Sequence, residues 1–504
     1  MITRSERYLH HRLGRDGLKI LFVSSEVVPF AKTGGLADVA GALPLALAKL
    51  GHDVRTVMPK YASVDDAKYN LLPILDEIRV RLGEQNHSAY VKKTVFPNSK
   101  VPVYFVVNEP FFGRSHLYGD GGGDYRDNAT RFWFFCKTVL WLLKGLDWTP
   151  DVIHCNDWQT AAIPILLRTD PDLLADEEWR SVRVLYTIHN LAYQGLFSQE
   201  EARHIGVSED LWHPAALEFW GRLSLMKGGI IFSDAITTVS RRYAEEIQTT
   251  EYGSGLEGVL EDVKGRLFGI LNGIDTTIWN PSSDAHLPAQ FSASDLAGKA
   301  VCKAALQKEL GLPVRADVPL LGIVSRLDRQ KGFDLIAQVM ESLLKRDVQV
   351  VLLGTGSEEY HALFSRAAEA HPKKMSAQLR FDNGLAHRIE AGADIFLMPS
   401  RYEPCGLNQM YSLRYGTVPV VRRTGGLADS VVDATPEAMR AGRATGFMFD
   451  SYDAVALWKA LQRALEMFKD KVAWRSLMRA GMAENFSWDA SAAKYDALYA
   501  RLKG

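Results

Sequence analysis

Short apolar runs alternate with longer segments of helical period along most of the chain, the arrangement of βα units whose parallel strands are covered by helices on both faces. The pattern predicts a buried strand over residues 20–24, a helix over 36–50 and a second strand over 54–58. Further strands are predicted over 152–155, 182–188 and 235–239. The stretch 279–296, with Asn280, Pro281, Ser282, Ser283 and Pro288, follows neither period and reads as an interdomain connection. A second α/β series follows it, with strands over 320–325, 348–353, 395–398 and 418–421 and helices over 334–345 and 407–415. Past Gly446 the chain is mostly helical. The segment 488–502 sets Ala492, Tyr495, Leu498 and Leu502 on one helix face that needs a packing partner.

The length of 504 residues exceeds what one hydrophobic core supports, so two or three domains are expected. Lys plus Arg total 59 against 60 for Asp plus Glu, leaving no basic field to hold nucleic acid or an anionic membrane. Any polyanion must be met locally. Cys136, Cys155, Cys302 and Cys405 lie far apart without CxxC spacing, against a disulfide framework or structural zinc and in favour of a reducing compartment. The first 17 residues are basic and polar with no apolar core, unlike a secretory signal. The most apolar stretch, 132–143, falls short of the roughly 20 residues that span a bilayer. A soluble cytoplasmic protein is expected.

Candidate chemistry gathers where predicted strands end, the place at which open α/β sheets bind ligands. Lys32, Thr33, Gly34 and Gly35 stand between a strand and a helix, so backbone N–H groups, a helix N-terminus and one cation converge as they would on phosphate. A Gly-rich turn with a solvated lysine is the alternative. The segment is neither GxxxxGK[ST] nor GxGxxG; the GxGxxG at Gly253, Gly255 and Gly258 follows a helical pattern and reads as a flexible loop. Arg326 and Lys331 follow the strand at 320–325 and suit a diphosphate, which arginine grips with two parallel bonds. Glu403, Pro404, Cys405 and Gly406 lead into a predicted helix, whose N-terminus offers N–H groups to an anion while the carboxylate faces sugar hydroxyls or developing positive charge. Asp157 and His189 end two strands of the first half, although a lone histidine is more often structural. Neither has metal-ligand spacing, so a required metal is not expected. The sequence TGGLAD occurs at both 33–38 and 424–429, as two similar Gly-rich turns or as two ligand-facing loops.

Taken together and in order, KTGGLADV (32–39), HCNDW (154–158), TIHNLAYQG (187–195), LNGID (271–275), SRLDRQKG (325–332), SRYEPCGLNQ (400–409) and RRTGGLAD (422–429) resemble the bacterial glycogen synthase family. The resemblance implies an α/β, GT-B fold: two Rossmann-like domains with parallel sheets facing a cleft, 1–280 on the glucan-acceptor side and 281–480 on the nucleotide-sugar side. A C-terminal helix, 481–504, would return to the first domain; whether residues 1–18 are ordered is left open. It further implies retaining transfer of glucose from ADP-glucose to the 4-hydroxyl at the non-reducing end of glycogen or a malto-oligosaccharide, without metal or other cofactor, nucleic acid or membrane.

Carried over by motif, Lys32 and the Gly34–Gly35 backbone should meet the donor, and Arg326 and Lys331 should neutralise its diphosphate with N–H groups from Gly406 and Leu407. Asp157, His189 and Asn272 should position the transferred glucose, with Glu403 near its ring. Phe381 stands where relatives tend to carry a tyrosine beside the adenine. A glucan phosphorylase, which needs pyridoxal phosphate on a lysine, and a non-catalytic glucan-binding protein are the competing readings; nothing in the chain resembles the former's cofactor site.

Overall fold

Strand β1 (Lys19–Val23) has one exposed lysine followed by four fully buried apolar residues, as befits a strand covered on both faces. The computed structural model describes residues 17–120 and 123–504, so the N-terminal extension through residue 16 lies outside them. The chain divides into two compact units: Met1–Val239 with Ala244–Gly273 and Trp488–Gly504, and Ser240–Tyr243 with Ile274–Ser487.

In the first unit β1 pairs in parallel with β2 (Asp53–Pro59) and, on its other side, with β6 (Val152–Asn156). Beyond β6 come β7 (Arg183–Ile188), β8 (Ala235–Thr238) and β9 (Leu267–Gly269), all parallel. Beyond β2 lie β5 (Pro102–Val107) and an antiparallel extension, β4 (Gln85–Val95) and β3 (Leu72–Leu82), which the apolar pattern did not predict. Charged residues interrupt β3, and its pairing slips between Pro73 and Leu75 and again between Leu75 and Ile78, so no clean two-residue period survives. The order places a switch point between β1 and β6, the position at which open α/β sheets bind ligands.

The helix Trp488–Lys503 belongs to this unit. Its Tyr495 and Tyr499 are fully buried, Tyr499 OH lies 2.7 Å from His154 Nδ1, and Ser491 donates to the Leu271 carbonyl at 2.7 Å. At its half-buried edge Asp496 sits 3.0 Å from Nε2 of the buried His52. His154, part of the HCNDW motif, therefore anchors a helix; its other nitrogen contacts Thr187 Oγ1 at 2.6 Å.

The second unit holds a six-stranded parallel sheet in the order β12-β11-β10-β13-β14-β15. Here β10 is Leu320–Val324, β11 Gln349–Leu353, β12 Met375–Gln378, β13 Ile395–Met398, β14 Val418–Arg422 and β15 Phe447–Phe449. The switch point falls between β10 and β13. The segment expected as a connection is packed into this unit: Trp279 stacks between His387 and Tyr411, with ring centroids 3.7 and 3.8 Å away. The buried Asp284 binds His387 Nδ1 at 2.7 Å and accepts from Tyr415 OH at 2.5 Å. Turn-rich composition hid a folded segment, because a few large side chains and one buried carboxylate hold it without regular hydrogen bonding.

Candidate active site

Each unit carries one half of the expected constellation at its own switch point. In the first, the loop after β1 is organised by Glu26, a residue the sequence reading passed over. Its buried carboxylate accepts from Thr33 N and Oγ1, both at 2.5 Å, from Gly34 N at 3.1 Å and from Tyr118 OH at 2.6 Å. The Gly34 N–H expected to meet a donor is thus already bound to a carboxylate. The Gly35 N–H, at the start of the helix Gly35–Lys49, carries no such bond among the described residues. Lys32 is half exposed and bonded to both oxygens of Asp38 at 2.7 and 2.8 Å. A Cβ built on Gly34 or Gly35 meets nothing within 4 Å, so both glycines border open space.

After β6, Asp157 adopts φ +56° and ψ 179°, a conformation almost confined to glycine. Its Oδ1 accepts from His189 N at 2.7 Å, which fixes the end of β7 against the end of β6. Burial pushes the Asp157 carboxyl up to about 7, against the pull of the His189 and Asn190 N–H groups. Burial likewise lowers the His189 imidazole to about 3, so it is neutral at physiological pH. His189 Nε2 meets Asn156 Oδ1 at 2.8 Å while Asn156 Nδ2 donates to the Val23 carbonyl at 2.9 Å. That network assigns the hydrogen to Nε2 and turns Nδ1 into the acceptor. Asn272 is buried with its Oδ1 unpaired, a costly state that a donor hydroxyl would relieve.

In the second unit the loops after β10 and β13 meet. Lys331 Nζ donates to both oxygens of Glu403, at 2.9 and 2.7 Å, and Ser400 Oγ donates to one of them at 2.9 Å. Glu403 is buried and the lysine nearly so, whereas Arg326 is 62% exposed with only a loose 3.7 Å contact to Asp328. One cation is therefore held and the other is available. Gly406 takes φ +69°, and a Cβ there would strike Gln409 Oε1 at 2.4 Å; Leu407 caps the helix Asn408–Arg414, and neither residue's N–H is bonded elsewhere in the described residues. Phe381, between β12 and the helix Asn383–Gly392, is 86% exposed.

The two TGGLAD copies differ in kind. Gly425 and Gly426 are buried, and a Cβ on either would come within 1.9 Å of the Glu403 or Cys405 carbonyl. Gly426 N donates to the Glu403 carbonyl at 3.0 Å. The second copy is a packing surface that shapes the Glu403 loop, so its glycines do not form a second ligand-facing loop. Its Asp429 accepts from Arg241 N at 2.5 Å and so ties the 240–243 segment into the second unit. The GxGxxG at Gly253 follows the helix Arg241–Glu246 in the chain, with no strand leading directly into it, as expected of a loop. Among the described residues no three His, Cys, Asp or Glu side chains gather to hold a metal, and no helix is long and apolar enough to cross a membrane.

A family described as "Starch synthase catalytic domain" matches residues 19–262, and one described as "Glycosyl transferases group 1" matches 311–477. A glycogen synthase of Anaeromyxobacter dehalogenans is 52% identical, covering 96% of this chain and all of the relative. One from Geotalea daltonii is 48% identical over 96% and 98%. The catalytic domain of Starch Synthase IV from Arabidopsis thaliana, solved bound to ADP and acarbose, superposes with a TM-score of 0.88 at 36% identity, covering 97% of this chain and all of that one.

Proposed function

Because the chain belongs to the glycogen synthase family and has its GT-B fold, we propose that it transfers glucose from ADP-glucose to the 4-hydroxyl at the non-reducing end of an α-1,4-glucan, with retention and without a metal or other cofactor. Glucosyl transfer from a nucleotide sugar to a glucan is the family's reaction. The observation that carries the residue assignment is the buried Lys331–Glu403 pair beside the exposed Arg326 at a switch point.

Breaking the glucosyl–phosphate bond leaves negative charge on the ADP oxygen and positive charge on the sugar. Fixed cations that meet the leaving group stabilise that charge as it forms, and this contribution is the largest one available to a transferase of this kind. Lys331, Arg326 and Lys32 are assigned to the diphosphate, with the Gly35, Gly406 and Leu407 N–H groups. Without donor, Lys331 is neutralised by Glu403; with donor, the lysine bridges carboxylate and phosphate, and Glu403 is left facing the sugar's developing positive charge.

Asp157, His189 and Asn272 are assigned to the glucose hydroxyls. A neutral His189 with Nδ1 as acceptor suits a hydroxyl, and Asn272 Oδ1 needs one. Phe381 offers its face to the adenine. No side chain of these motifs is an obvious nucleophile for the far face of the sugar. The proposed route is therefore front-side, with a phosphate oxygen taking the acceptor proton, and the partners are the glucan and ADP-glucose, without nucleic acid or membrane.

The anomeric proton of the newly added glucose distinguishes the alternatives. An α signal at the new linkage, formed at an unchanged rate in EDTA, is expected; a β signal or abolition by EDTA would contradict the route.

A further inference from the structure

One surface feature of the first unit is not used by the assignments above. Strands Glu218–Phe219 and Arg222–Ser224 form a tight hairpin, with Phe219 paired to Arg222, so Trp220 and Gly221 make its two-residue turn. Both have positive φ, +53° and +77°. A turn of this kind favours Asn-Gly, and a bulky residue at its first position is an outlier. Burial does not compensate, because Trp220 is 84% exposed, the second most exposed of the large apolar side chains described.

The turn is nonetheless rigidly built. Gly221 N donates to Glu218 Oε1 at 2.6 Å, and Arg222 Nη2 donates to the Leu196 carbonyl at 2.6 Å. The buried Lys227 ammonium donates to the Glu218 and Pro214 carbonyls, at 2.6 and 2.5 Å. A glycine, Gly255, lies under the aromatic pair: a Cβ there would come 3.0 Å from Phe219 and 3.7 Å from the Trp220 indole nitrogen. An indole is thus held out into solvent at a conformational cost on a stiff support. Strain that packing does not repay points to a ligand.

The hairpin is continuous with the sugar-positioning residues. Leu196–Phe197 pairs with Leu223–Ser224 and directly follows the TIHNLAYQG segment that carries His189. That segment's Tyr193 is itself 59% exposed, and Gln194 is fastened to the Ser254 carbonyl at 2.9 Å. A glucose unit presents an apolar C–H face to an aromatic plane and hydroxyls at its rim, the surface that an exposed indole on a polar rim accommodates. We propose that Trp220 is a stacking platform for a glucose unit of the glucan acceptor, away from the reacting end. This rests on the transferase reading.

Mobility in glycogen-containing native gels, which needs no turnover, tests it together with the acceptor and donor KM values. Trp220→Asn, suited to the turn, should weaken glycogen affinity and raise the glycogen KM by about threefold to tenfold. Trp220→Phe should restore most of both. The donor KM should stay within about twofold and the melting temperature of Trp220→Asn should not fall, since the strain is relieved. Wild-type glycogen affinity in Trp220→Asn, or a loss that tracks a lower melting temperature, would overturn the platform. Should the wild type transfer no glucose while its retardation depends on Trp220, the platform stands and the transferase reading falls; transfer with Trp220-independent affinity has the reverse meaning.

Discussion

The two cations of the second unit behave differently when removed, because one is paired in a buried site and the other is not. Lys331→Ala strands the Glu403 carboxylate, and breaking a buried pair typically costs about 3–5 kcal/mol, toward the lower end here because the lysine is partly solvated. Arg326→Ala has no buried partner to orphan and should leave the melting temperature unchanged. Each should lower kcat by about 10²–10³ if it stabilises the leaving diphosphate. Equal stability losses, or wild-type kcat in both, would contradict the assignment. The expectation that both cations sit near a strand end was legible in SRLDRQKG. That only one of them is neutralised by Glu403, 72 residues later, was not, since nothing local encodes the meeting of two loops.

Asp157 and His189 also make opposed contributions to stability. Between about pH 4 and 7 the folded protein keeps a proton on Asp157 that the unfolded chain has lost, so this group lowers stability as pH rises. From about pH 3 to 6.5 the unfolded chain protonates its histidine while buried His189 stays neutral, so that group raises stability as pH rises. In Asp157→Asn the histidine acts alone. Its urea midpoint should climb more steeply from pH 4 to 6.5 than that of the wild type; an unchanged slope would refute the opposition.

At the level of elements, parallel strands read clearly because their apolar runs are short, buried on both faces and bounded by turn residues. The antiparallel pair Leu72–Leu82 and Gln85–Val95 did not, because its polar residues and register slips obscure the period. The repeated TGGLAD shows the same limit more sharply: identical residues fold into an open turn once and a packed one once, because Glu26 holds the first copy while the loop from Glu403 to Cys405 packs on the second. Gly34→Ala should therefore leave stability within about 1 kcal/mol of wild type and act on donor binding. Gly426→Ala forces a Cβ into a carbonyl and should cost at least the ~1–3 kcal/mol of an overpacked core, as urea unfolding would show. Glu26 escaped notice because an isolated glutamate carries no motif, and its four hydrogen bonds come from Thr33, Gly34 and a tyrosine 92 residues away.

For the whole molecule, the C-terminal helix was legible as an amphipathic segment in need of a partner, and its place in the first unit follows from Tyr495, Tyr499 and Ser491. Tyr499→Phe removes the hydroxyl that contacts His154 and should lower stability by about 1–2 kcal/mol without changing the donor KM. Fold and reaction class were carried by the ordered motifs, whereas the choice of nucleotide was not written in any single residue: the face of a phenylalanine does not distinguish one base from another. The central claim is tested most directly by labelled glucose incorporation into glycogen by the purified protein, with ADP-glucose and UDP-glucose in parallel and Glu403→Ala as control. Incorporation from ADP-glucose that is lost in the variant is the predicted result. Incorporation from UDP-glucose alone would overturn the donor, and incorporation from neither would contradict the transferase account altogether.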